Sequence, residues 1–250
     1  MTTDFILTVR PAPDGALDVA ALERRGVAAL AAPVMEAAYL DMTVLEAGTA
    51  GGLIFTSRHA IAAFLDSFDG GLPSVWSGMP VFVVGRATGR LARRAGFHDV
   101  TVGTGGGAGL VPLILARHDL SSLPLLWPCA MHRGFDMQAA LAPQIEVKIH
   151  PVYEMVAIPR FDDTAIARLG DGRIAGVILM SARSARLFRE MVSKHDLDAH
   201  IPHITLIAGS AAIAAAAGSG WREEFIAKRS TRARLLAIAA LFYHRHAARY

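Results

Sequence analysis

One cysteine, Cys129, stands in 250 residues. Alone it can close no internal disulfide and cannot build a zinc site by itself, so a reducing, cytoplasmic setting is expected. Charge is also sparse, at 19% of residues with a net of +3. Nucleic-acid binders carry a clustered basic face, so no nucleic-acid partner is expected. No apolar stretch reaches the ~20 residues that cross a bilayer; runs such as 235–243 fall well short, so no membrane partner is expected either. The first ten residues lack a basic start followed by a long apolar run, so no secretory signal is expected. The glycine cluster 103–107 contains no lysine and lacks the order of a P-loop, which disfavours a nucleotide-dependent transferase. His244 and His246 are two apart in a helical stretch, where their rings leave on different faces, so they read against a metal site. Arg232, Arg234, Arg245 and Arg249 in the same stretch read as a solvated helix face.

What the chain does have is apolar bulk, 53% of residues, carried by Ala, Leu, Ile and Val more than by aromatics, which make up 7%. That composition suits tight packing of helices on sheets. It also has an internal repeat. Ser57 stands opposite Ser181, 124 positions on, and the same step relates Ile54 to Ile178, Phe64 to Phe188, Gly85 to Gly209, Gly96 to Gly220 and Phe97 to Trp221. A step of that length is domain-sized, far beyond the ~20–50 residues of a solenoid repeat. Two similar lobes are expected, and a cleft between lobes is a favoured place for a ligand.

Apolar runs at residues 5–9, 53–56, 81–84, 123–126, 146–150, 176–180 and 204–208 read as strands. Helical patterns follow at 19–25, 58–68, 88–95, 135–142, 184–194, 211–217 and 231–244. This alternation implies an α/β fold: parallel sheets flanked by helices. Two extended segments, near 33–36 and 150–156, read as a two-stranded hinge. Residues 1–32 and 156–250 would then form a discontinuous lobe, and 33–155 a continuous one.

Parallel sheets hold ligands in the loops after their strands. That rule selects Arg10, Thr56 to Arg58, Gly85 to Thr88, residues 103–107, 128–133, Ser181 to Ser184 and residues 209–212. Several precede helix starts, whose free N–H groups favour anions. Ser and Thr at such places also cap helices, so Thr56, Ser57, Thr88 and Ser181 have a structural role open to them as well. The basic residues are mostly Arg, whose forked guanidinium grips carboxylates; Arg10, Arg58, Arg86, Arg133 and Arg183 are the candidates. A polyanionic small molecule is the substrate class this pattern fits.

The chain resembles the uroporphyrinogen-III synthase family. The resemblance rests on Ile6-Leu-Thr-Val-Arg-Pro11, Pro33-Val-Met-Glu36, Leu53-Ile-Phe-Thr-Ser-Arg-His-Ala60, Val83-Val-Gly-Arg-Ala-Thr88, Ala95-Gly-Phe97 and Pro151-Val-Tyr153, in that order and spacing, with an echo around Ser181 and from Gly209 to Trp221. It implies two α/β lobes on a two-stranded hinge, a monomer, no metal and no cofactor. It implies a substrate, hydroxymethylbilane, that carries carboxylate arms on all four pyrroles and comes through transient contact with the preceding pathway enzyme. The reaction closes this linear tetrapyrrole with inversion of its last ring and loss of water. Tyr153 matches the family's hinge-adjacent tyrosine and is the expected hydrogen-bond donor to the departing hydroxyl. Arg10, Thr56, Ser57, Arg58, Gly85, Arg86, Thr88, Arg133, Ser181, Ala182, Arg183, Gly209 and Ser210 are the expected substrate contacts.

The chain departs from the family pattern in places, mostly in the discontinuous lobe. Ala212 stands where a threonine is usual, Met180 where the continuous lobe has Thr56, and the segment 127–133 replaces a loop richer in Gly, Asp and Arg. These departures motivate an alternative, a non-catalytic bilobal binding module for an anionic tetrapyrrole or another polycarboxylate.

Overall fold

A computed structural model describes residues 4–40, 47–69, 71–119 and 123–247. Along the chain run β1 (Phe5–Thr8), α1 (Asp14–Glu23), β2 (Ala29–Ala31), β3 (Met35–Tyr39), β4 (Gly52–Phe55), α2 (Arg58–Asp66) and α3 (Ser74–Ser77). Then come β5 (Val81–Val84), α4 (Gly85–Arg94), β6 (Val100–Gly103), α5 (Val111–Arg117), β7 (Leu125–Ala130), α6 (Met137–Leu141) and β8 (Val147–Ala157). The chain ends with α7 (Asp163–Gly170), β9 (Ile174–Leu179), α8 (Ala182–Lys194), β10 (Thr205–Ala208), α9 (Ala211–Ala216), β11 (Glu223–Ile226) and α10 (Arg232–Ala247). The chain divides into a continuous unit, Ala37–Met155, and a discontinuous unit, Met1–Glu36 with Val156–Tyr250.

The continuous unit is built on the sheet β3-β8-β7-β4-β5-β6, and the discontinuous unit on β2-β1-β9-β10-β11. Within the first, β7–β8, β7–β4, β4–β5 and β5–β6 pair in parallel; every pair of the second is parallel. The 124-residue step survives in the fold. It carries β5 onto β10, and Ser57, which caps α2, onto Ser181, which caps α8. The stretch β4-β5-β6 corresponds to β9-β10-β11. The strand beside β4 is β7, which follows in sequence, whereas the strand beside β9 is β1, from the start of the chain.

Strand alternation divides the continuous unit's core into two layers. Leu53, Phe55, Val81 and Val83 face one way, with Phe64, Trp76 and Phe97. Ile54, Phe82, Leu125 and Trp127 face the other, with Leu110, Ile114 and Leu141 of the opposite helical layer. The few aromatics are concentrated: Phe64 meets Phe55, Phe68 and Trp76 edge-on at centroid separations of 5.5, 5.1 and 5.1 Å. Such geometry adds about 1 kcal/mol per pair beyond area burial.

Several elements differ from the sequence expectation. The segments 146–150 and 150–156 form the single strand β8. Helix α1 starts at Asp14, five residues before the apolar pattern of 19–25 begins. Helix α4 starts at Gly85, so Thr88 lies a turn inside and is buried instead of standing at the start. Gly85 itself has φ +80, a conformation open to glycine at no cost. Arg232 is not a solvated cation: it bonds the buried carboxylate of Asp18 and donates to the Leu17 carbonyl at 2.8 Å. Arg249 lies outside the described residues.

Candidate active site

Tyr153 owes its position to an irregularity. Along β7 and β8 the partners run Leu125 with Val147, Trp127 with Ile149 and Cys129 with Pro151, then shift so that Ala130 faces Tyr153. Pro151 has no N–H for the ladder, and a register shift beside it relieves that loss. Ordinary alternation would send Val152 and Tyr153 to opposite faces. With the shift, both belong to the same core layer as Phe55 and Ala60.

The Tyr153 ring is 6% exposed, and its hydroxyl donates to Ser57 Oγ at 2.9 Å. Ser57 is the N-cap of α2; its Oγ also accepts from the Ala60 N–H at 3.1 Å. Burial pushes the Tyr153 phenol above its ordinary value, with the Ser57 hydrogen bond pulling the other way and Cys129 and Tyr39 adding small upward pushes. The group is therefore a protonated donor at neutral pH.

Beside this pair opens a cavity of about 380 Å³, lined by Thr56, Ser57, Val84, Trp127, Ala130, Tyr153, Gly106, Gly107 and the turn His132 to Phe135. It lies at the carboxyl edge of β4, β5 and β7. Arg133 is held there by its own loop: it donates to the carbonyls of Ala130 and Met131, each at 3.2 Å, and its guanidinium lies 5.7 Å from the Trp127 ring centre. This fixes a cation on an aromatic wall. A Cβ on Gly107 would come within 2.6 Å of Phe135 Cδ1, so glycine is what lets the two sides of the wall approach.

Of the expected contacts, the structure gathers Thr56, Ser57, Arg133 and Tyr153 around this cavity. Arg58 follows Ser57 as the first residue of α2. Gly85, Arg86 and Thr88 are outside the lining; Arg86 is exposed and Thr88 is buried within α4. The other six stand on the discontinuous unit at the carboxyl ends of β1, β9 and β10. There Ser181 Oγ pairs with Ser184 Oγ at 2.7 Å, with Ala182 and Arg183 opening α8. Ser210 caps α9 at Ile213 N, 3.4 Å, directly after Gly209. Arg10 already holds carboxylates, those of Asp14 at 2.5 Å and Asp18 at 3.3 Å. Sequence reasoning passed over Trp127, Phe135, His59 and Tyr39. Trp127 and Phe135 are of a residue type that also fills cores, and Tyr39 and His59 carry no motif that links positions twenty apart.

Residues 18–237 match a family model described as "Uroporphyrinogen-III synthase HemD". The chain belongs to the uroporphyrinogen-III synthase family. Among solved structures, the uroporphyrinogen-III synthetase of Helicobacter pylori 26695 aligns at 18% identity over 95% of this chain and 98% of its own, with a TM-score of 0.61. The wild-type uroporphyrinogen III synthase of the extremely thermophilic bacterium Thermus thermophilus aligns at 15% identity over 98% and 100%, with a TM-score of 0.44. The former likeness bears on the fold, a two-unit α/β architecture. The family membership makes this chain a cyclising lyase of tetrapyrrole and haem biosynthesis, acting on a small molecule. Among the described residues of this family member, no helix is long and apolar enough to cross a membrane, and no group of three or more His, Cys, Asp or Glu is placed to hold a metal ion.

Three histidines of the continuous unit, His59, His118 and His150, hold protons less tightly than an ordinary imidazole, because burial disfavours the cation. At His59 the Arg58 charge adds to this; at His118 the Leu123 carbonyl and Asp119 oppose it. The unfolded chain, with imidazoles near ~6.5, therefore binds more protons than the fold in the acid range. Their contribution to stability is complete above that pH and is lost as pH falls through it toward the lower folded values. The melting temperature is expected to drop between pH 7.5 and 5.5. A thermal scan series flat across that window would contradict the assignment.

Proposed function

We propose that the chain turns over hydroxymethylbilane at the carboxyl edge of the continuous unit's sheet, with Tyr153 as the proton donor. The observation that carries this is the buried Tyr153 hydroxyl, bonded to the N-cap of α2 and lining an open cavity beside a fixed guanidinium. The substrate's terminal hydroxyl is a poor leaving group. Proton donation from Tyr153 lets it depart as water and leaves an electrophilic azafulvene. The Tyr153 hydroxyl can turn from Ser57 into the cavity, because Ser57 keeps its bond to the Ala60 N–H. The phenolate so formed sits at the positive end of α2. The far pyrrole attacks through its substituted carbon to give a spiro intermediate. This fragments and recloses, and the proton lost from the reclosing carbon restores Tyr153. Atoms balance as substrate going to the type III ring plus water.

Without a protein, closure runs through the unsubstituted carbon and gives the type I isomer. The catalyst's main task is then to hold the chain in the productive fold, a matter of positioning. Arg133, Arg58 and the first-turn N–H groups of α2 suit the carboxylate arms. Ser181, Ala182, Arg183, Gly209, Ser210 and Arg10 on the discontinuous unit, with Gly85, Arg86 and Thr88, are the remaining proposed contacts. A cytoplasmic monomer that takes its substrate from the preceding enzyme, with no nucleic-acid partner, completes the reading; the lone cysteine and low net charge support it. Purified protein given fresh hydroxymethylbilane is expected to yield predominantly the type III isomer. Exclusively type I product, matching a protein-free control, would overturn the reading and favour a binding module.

A further inference from the structure

His59 is the second residue of α2, two positions after the cap that receives the Tyr153 hydroxyl. Its ring packs on the Tyr153 ring, with centroids 5.4 Å apart and planes tilted by 39°. Its Nδ1 also lies 3.3 Å from the Tyr39 hydroxyl, and those two rings are 6.3 Å apart. The imidazole thus contacts two tyrosines, from the neighbouring strands β3 and β8. Tyr153 is fixed at its hydroxyl by Ser57 and on its ring by His59, and both contacts come from the first turn of one helix. The Tyr39 hydroxyl gives the imidazole a hydrogen-bond partner at Nδ1.

We infer that His59 is a positioning residue: held by Tyr39, it sets the Tyr153 ring so that the hydroxyl lies at the cap of α2 and at the mouth of the cavity. The inference rests on the reading of Tyr153 as the proton donor. It gives Tyr39 and His59 a part in the reaction although neither lines the cavity. Among the described residues, the titratable and charged groups that face this assembly are Arg58 and Asp66 of α2, Tyr39 of β3, Cys129 of β7 and Tyr153 itself. Burial keeps both His59 and Tyr153 uncharged at neutral pH, so the contact between them is one of neutral rings. A ring contact of this kind sets the orientation of a donor without touching substrate, so its loss is felt in turnover more than in binding.

The test is a double-variant cycle joined to a titration. His59→Ala is expected to lower kcat by about 10-fold to 100-fold with little change in KM, and His59→Phe, which keeps a ring, to recover much of that loss. In the Tyr153→Phe background, His59→Ala is expected to cost nothing more, because the group it positions is gone. Tyrosine labelled with ¹³C at Cζ reports Tyr153 directly, its signal assigned by its absence in Tyr153→Phe. In His59→Ala that signal is expected to titrate at lower pH, since the uncovered ring meets more water. An unmoved signal from Tyr243, which does not touch His59, together with an unchanged circular dichroism spectrum, shows that the variant is folded. A wild-type kcat in His59→Ala, a loss confined to KM, equal losses in both backgrounds, or an unmoved Tyr153 titration would each overturn the inference. Should Tyr153→Phe retain the full rate, the donor reading fails by itself, and the titration still decides whether His59 positions the ring.

Discussion

Tyr153→Phe is expected to lower kcat by two to three orders of magnitude while leaving the fold nearly as stable as before; loss of a general acid costs about 10²–10⁴-fold. The structural loss is one hydrogen bond, to Ser57, about 1 kcal/mol. Ser57 is not orphaned by it, because its Oγ still accepts from the Ala60 N–H. The phenyl ring keeps its place against Phe55, Ala60 and His59. The comparison that matters is kcat against the urea midpoint, measured on the same preparation. A variant with unchanged turnover removes Tyr153 from the chemistry. A variant that loses both turnover and several kcal/mol makes Tyr153 a packing residue whose effect on activity is indirect.

Asp18→Ala is expected to give the other large effect, on stability. Asp18 is fully buried in α1. One guanidinium, Arg10, reaches both its oxygens at 3.3 Å; a second, Arg232, comes from 214 residues away; the buried Thr8 hydroxyl donates at 3.4 Å. Removing the carboxylate leaves a buried hydroxyl unpaired, takes this counter-charge from Arg232 and leaves Arg10 with Asp14 alone of its two carboxylates. Breaking such a pair from one side costs about 3 kcal/mol. Arg232 is 43% exposed on its side chain, so water recovers part of that. Asp18→Asn, which keeps one acceptor oxygen, is expected to lose about half as much. Urea titration checks both. A loss below about 0.5 kcal/mol for Asp18→Ala would mean that the cluster is ornamental to the fold.

Both predictions depend on pairings that sequence distance hides, and this separates what was legible from what was not. The strands β4, β5, β9 and β10 were legible because each is a short, continuous apolar run closed by Ser or Gly, the pattern of a strand buried on both faces. The start of α2 was legible because Ser57 is a good cap, whereas α8 begins at Ala182, two residues before the 184–194 pattern. By contrast, β11 reads Glu-Glu-Phe-Ile and became a strand only through pairing with β10. Helix α5 has no counterpart among the elements read from the sequence; its Pro112 fits because the missing N–H falls in the first helical turn. Strand β2 is only three residues long, too short for any period to register.

In the site, Ser57, Thr56 and Arg133 followed from a rule about strand ends, and Tyr153 from a resemblance. Trp127 and Phe135 could not be separated from core by type alone. His59 and Tyr39 are joined only across the fold.

Local pattern, and the comparison of one stretch of chain with another, were enough for the duplicated α/β plan, the small-molecule class of substrate and the asymmetry between Thr56 and Met180. Three features needed the folded chain: which strand completes each sheet, the meeting of Arg10 and Arg232 on Asp18, and the register shift beside Pro151 that turns Tyr153 onto Ser57. Each of those is a choice of partner among distant residues. Burial and hydrogen-bond satisfaction make that choice, and no local propensity records it.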